Sequence, residues 1–139
     1  MARREETVRS RLWIGADRRW RTEGLHDTDL RRAVRAWLLE RGETGTVLEE
    51  VGVLRGQARV DLLHVGEVTH GFELKSDVDT TRRLKRQVAF FSRVFDFCTC
   101  VGGERYMDDV LEKVPQTWGI LLVGGDCRAV PVRPAQQLE

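Results

Sequence analysis

Lysine is scarce in this sequence: Lys75, Lys85 and Lys113 stand against twenty arginines. Nowhere does an apolar run approach the ~20 residues of a membrane span, and the arginine-rich start lacks the apolar segment of a secretory signal. A cytoplasmic chain without membrane partners is therefore the expectation. The three cysteines, Cys98, Cys100 and Cys127, are an odd number, and their C-x-C is too tight for the usual zinc knuckle. Cys98 and Cys100 read as buried reduced thiols on one face of a strand. Repeats, low-complexity segments and glycine-rich phosphate loops are missing. His26, His64 and His70 show neither H-N-H nor metal-ligand spacing, which leaves them structural.

What is present is the composition of one soluble domain, 139 residues with 41% hydrophobic and 32% charged, long enough for a sizeable core. The net charge of +1 selects no partner, but its distribution does. Between Thr81 and Phe95 lie Arg82, Arg83, Lys85, Arg86 and Arg93 and no acid. That is the asymmetry a phosphate-tracking surface needs, although a solvated helix face looks the same. The chain divides into an N-terminal arm over 1–26, a single domain over 27–133 and a tail over 134–139.

Within the domain, Asp27 or Thr28 caps a helix from Asp29 to Arg41, with Leu30, Val34, Trp37 and Leu38 at helical spacing. Thr46 to Leu54 reads as a strand or a helix-to-strand transition. Ala58 to Leu63 alternates, with Val60 and Leu62 on one side and Arg59 and Asp61 on the other. In Gly71 to Lys75, Phe72 and Leu74 enter the core while Glu73 and Lys75 share the opposite face. Leu84, Val88, Phe91 and Phe95 then form the buried stripe of a second helix, with Asp77 and Asp79 as candidate caps. Phe97–Val101, Thr117–Val123 and Cys127–Val132 read as strands, the last at an edge because of Pro131, with a helix over Arg105–Val114. The order gives an α/β (α+β) domain, a mixed central sheet flanked by helices.

The chemistry centres on the hairpin. With residues 66 to 68 as a three-residue loop, Val65 pairs with Thr69, Leu62 with Phe72 and Asp61 with Glu73. Two acids and Lys75 then converge. Repelling carboxylates in a partly desolvated site favour a divalent cation, and all-oxygen ligands favour Mg²⁺ or Mn²⁺ over zinc. Such an ion activates water for attack on a phosphodiester, with Lys75 helping the developing charge.

Asp61, then Glu73-Leu74-Lys75 after eleven residues, preceded by Glu50 and followed by a helix bearing Gln87, resembles the PD-(D/E)XK nuclease superfamily. Glu50-Val51-Gly52-Val53, Gly56, Arg83-Leu84, Phe95-Asp96 and Trp118-Gly119-Ile120 are similar to small stand-alone bacterial members. VRR-NUC and RecB-like nucleases are more distant in pattern. The resemblance implies a restriction-endonuclease-like αβββαβ core and a Mg²⁺-dependent deoxyribonuclease, an endonuclease by expectation. It implies Asp61, Glu73, Glu50 and the Leu74 carbonyl as metal ligands, with Glu49 competing for the place of Glu50. Lys75 becomes catalytic and Gln87 positions metal or water. Val60 stands where the superfamily's name has proline, and Phe91 where RecB-like members carry tyrosine. Arg82, Arg83, Lys85 and Arg86 become the DNA-binding group, and sequence-selective cutting would need a homodimer or a partner. The rival readings are a non-catalytic nucleic-acid-binding or scaffold protein that keeps the fold, and a metal-dependent phosphatase acting on small molecules.

Overall fold

The computed structural model describes residues 24–77 and 79–139; most of the N-terminal arm lies outside these residues. Helix α1 (Asp27–Glu40) is followed by strands β1 (Thr46–Val53), β2 (Ala58–Val65) and β3 (Thr69–Lys75), then by helix α2 (Leu84–Phe91) and β4 (Phe97–Gly102). A 3₁₀ turn at Glu104–Tyr106 leads into α3 (Met107–Lys113), and β5 (Gly119–Val123) and β6 (Ala129–Arg133) complete the sequence of elements. The fold is mixed α+β. Its six-stranded sheet runs in the order β1-β2-β3-β4-β5-β6, antiparallel at β1–β2, β2–β3 and β5–β6 and parallel at β3–β4 and β4–β5. The parallel steps are the ones bridged by α2 and α3, as crossover geometry requires.

Two cores sandwich the sheet. On one face, Leu30, Val34 and Leu38 of α1 pack on Leu62, Phe72, Leu74 and Leu121. On the other, Leu84 and Phe91 of α2 and Val110 of α3 pack on Val60, Leu63, Cys98, Cys100 and Ile120. Phe95 joins that second core, as the helical stripe predicted, although α2 itself ends at Phe91. Cys98 and Cys100 are buried free thiols on the same face, and burial pushes both thiols up to about 12.

The hairpin register is the expected one: Val65 pairs with Thr69 and Leu62 with Phe72, around a three-residue loop. The alternation in β2 is not. Val60 and Leu62 lie in opposite cores, so the expectation that they share a face fails. The physical reason lies next door in β1. Its ladder passes from Glu49 opposite Leu62 to Val51 opposite Val60, stepping over Glu50, whose φ of 53° is left-handed. A strand cannot keep period two through such a residue.

The capping expectations also need correction. The α1 N-cap is His26, whose N–H donates to the Asp29 carboxylate at 2.9 Å, while Asp27 is held by Arg31. The α2 N-cap is Arg83, with no side-chain cap; Asp77 instead accepts from Leu25 N–H, and Asp79 from Ser76. The final residues fold back on the domain, with Gln136 N–H donating to Thr117 O at 2.8 Å and Leu138 N–H to Asp96 O at 2.7 Å.

Candidate functional site

Strand β3 delivers Glu73 and Lys75 to the face covered by α2, one residue apart from the α1-facing Phe72 and Leu74. Both are deeply buried, at 3% and 4% exposure. Helix α2 lowers Gln87 onto them. Its Nε2 donates to Glu73 Oε1 at 2.7 Å, and Lys75 Nζ donates to Gln87 Oε1 at 3.0 Å. Lys75 Nζ also lies 3.3 Å from Glu73 Oε1, closing a three-membered ring of polar contacts. Glu73 Oε2 receives no hydrogen bond.

Asp61 approaches from β2. Its Oδ2 accepts the Leu74 N–H at 2.8 Å, so the carboxylate braces the backbone of β3. Burial pushes the Glu73 carboxyl up to about 8, and the negative charge of Asp61 adds to the shift while Lys75 opposes it. Burial raises Asp61 as well, against the hydrogen bond from Leu74. Asp61, Glu73, Lys75 and Gln87 are thus brought together from three elements.

Glu50 has a different partner. Its exposed carboxylate is bound by Arg31 of α1, which also donates to the Asp61 carbonyl at 3.1 Å and to Asp27. Glu49, the competing third acid, pairs with Arg31 at 3.6 Å and Arg35 at 3.4 Å. Among the described residues no group of three or more His, Cys, Asp or Glu side chains is arranged to hold a metal ion. The donor set therefore falls short of the Asp61, Glu73, Glu50 and Leu74 ligand group that the motif implies. No chemical step through a metal is derived from it.

Arg82, Arg83, Lys85 and Arg86 are all exposed, and none pairs with a carboxylate among the described residues. Arg86 lies over the Phe90 ring at 5.3 Å from its centroid. The segment before α2 is fastened to α3: Thr81 Oγ1 donates to Asp109 at 3.0 Å, Lys113 Nζ donates to Thr81 Oγ1 at 2.9 Å, and Tyr106 donates to the Asp77 carbonyl at 3.1 Å. The sequence reading missed both Arg31 and this fastening. The only local signal for Arg31 is its i,i+4 relation to Asp27; its grip on β1 and β2 is tertiary. A cavity of about 680 Å³ at the hairpin end of the sheet, lined by Trp37, His64, His70 and Phe97, contains none of the predicted site residues.

Among the described residues, no helix is long and apolar enough to cross a membrane. No solved structure matches the chain. Protein cII of Enterobacteria phage P4 is similar, 28% identical over 101 residues that cover 71% of this chain and 38% of that protein. The chain thus spans well under half the length of that relative. The family model described as bacteriophage P4 protein cII matches residues 21–138. This overturns the assignment to the PD-(D/E)XK nucleases, and with it the hydrolase and endonuclease reading. The strand-borne Glu-x-Lys that suggested catalysis is a buried, hydrogen-bonded contact between Glu73 and Lys75, a pattern that structure alone can require. By the extent of that match, this chain belongs to the bacteriophage P4 protein cII family.

Proposed function

We propose that this domain binds DNA without cleaving it, gripping the phosphate backbone with the basic segment at the start of α2. The observation that carries the reading is the set of four exposed, acid-free cations, Arg82, Arg83, Lys85 and Arg86, on one short segment. Unpaired guanidinium and ammonium groups displace condensed counterions when they meet phosphates, and that release supplies sequence-independent affinity. Two further features support it. The first turn of α2 contains no acid and no side-chain cap, so its backbone N–H dipoles add to the positive field. The α1-β1-β2-β3-α2-β4 order and mixed sheet also suit a restriction-endonuclease-like core put to a binding use.

The experiment is fluorescence anisotropy of labelled duplex and single-stranded DNA across a salt series. The protein is compared with a variant carrying Arg82→Ala, Arg83→Ala, Lys85→Ala and Arg86→Ala. Each phosphate contact contributes about 0.9 to the slope of log affinity against log salt on duplex DNA. The variant should lose two to four such increments, roughly 2 to 4 units of slope. An unchanged slope, or no binding by the parent protein, removes the reading.

A further inference from the structure

We infer that the Glu73–Lys75–Gln87 cluster sets the rotation of α2, and through it the direction in which the cations that the helix carries, Lys85 and Arg86, point. The inference rests on the proposed DNA-binding role and explains why a non-cleaving domain retains a carboxylate and an ammonium in its interior.

Helix α2 has only eight residues, and Leu84 and Phe91 are its fully buried side chains. Val88 and Phe90 add partly buried apolar contact to the same core, but apolar contact is non-directional and leaves a short helix some freedom to rotate and slide. Gln87 lies between Leu84 and Phe91. Its carboxamide offers a donor to Glu73 Oε1 at 2.7 Å and an acceptor to Lys75 Nζ at 3.0 Å. One orientation of the amide satisfies both, and both partners sit on the same strand at 5% or less side-chain exposure. Rotating α2 by one residue would withdraw the amide and leave the buried polar groups of Glu73 and Lys75 with one partner fewer. With Gln87 turned inward, Lys85 and Arg86 are exposed to solvent. Buried polar groups used in this way confer a unique arrangement at little gain in stability.

Two variants test the inference: Gln87→Leu alone, and Gln87→Leu with Glu73→Leu and Lys75→Met, which replaces the cluster by apolar side chains. Each is measured for melting temperature, for hydrogen exchange of residues 84–91, and for duplex-DNA affinity at one salt concentration. The expected result is a lowered melting temperature for Gln87→Leu, which strips a partner from Glu73 and Lys75, and a nearly unchanged one for the triple variant, with faster exchange confined to α2 and an affinity lower by about tenfold in both. DNA affinity within about twofold of the parent, with α2 exchange unchanged, overturns the inference. So does lower affinity with unchanged α2 exchange, which would make Gln87 a direct contact, and so does exchange that rises across the whole chain. Should the triple variant fail to fold, Gln87→Leu carries the test. Should the parent protein not bind DNA, the proposed function fails, and α2 exchange alone decides the inference.

Discussion

At the residue scale, two titratable groups, the buried Glu73 and the half-buried His70, pull stability in opposite directions. Glu73 is held at about 8 against an ordinary 4.5, chiefly by burial, so the unfolded chain releases that proton first. Between pH 4.5 and 8 its contribution therefore falls as pH rises. His70, stacked on Phe72 at 4.2 Å, is pushed down to about 3 from 6.5 by burial, with His64 and Arg41 adding to the shift. Below pH 6.5 the unfolded chain takes up that proton first, and stability falls as pH drops toward 3. The two slopes, each at most about 1.4 kcal/mol per pH unit, offset one another between pH 4.5 and 6.5. Urea midpoints across pH should show that Glu73→Gln flattens the alkaline limb and His70→Gln the acid limb. An unchanged limb in either variant would refute the corresponding assignment.

Element packing is close where β3 passes beneath the residues that follow α2. A Cβ built on Gly71 would meet Phe95 Cδ2 at 2.6 Å, and Phe95 is itself buried. Gly71→Ala should destabilise by about 1–3 kcal/mol through overpacking. Adding Phe95→Leu should recover part of that loss, and strict additivity in the double-mutant cycle would refute the contact. This scale also shows what the sequence made legible. The hairpin register could be read because only a three-residue loop matched the buried face of Phe72 and Leu74, and that register carried Asp61, Glu73 and Lys75 to one place. Gln87 followed from its place on the helix. Val60 could not be placed, because nothing local foretells a left-handed Glu50 in a strand. The ion pair of Glu50 was not legible because its partner Arg31 arrives from a separate helix. Function was misread for a related reason: Glu-x-Lys on a strand is written identically whether it meets a substrate or the underside of a helix.

For the whole molecule, closure of the second core depends on the last residues of the described chain. Leu138 packs against that core, and its N–H bonds Asp96 O ahead of β4, while Gln136 bonds Thr117 O ahead of β5. Deleting residues 134–139 removes both hydrogen bonds and a partly buried leucine, worth together about 2–3 kcal/mol. A melting temperature within a degree of the intact protein would contradict this docking. Among the described residues, β1 and β6 are the margins of the six-stranded sheet. Free backbone along such margins can recruit strands from other molecules. Pro131 removes a donor from β6. On β1, the left-handed Glu50 divides an eight-residue strand into Thr46–Glu49 and Val51–Val53, and neither stretch is a long straight template. The residue that interrupts the strand thereby leaves the β1 margin a poorer template for a strand from another molecule.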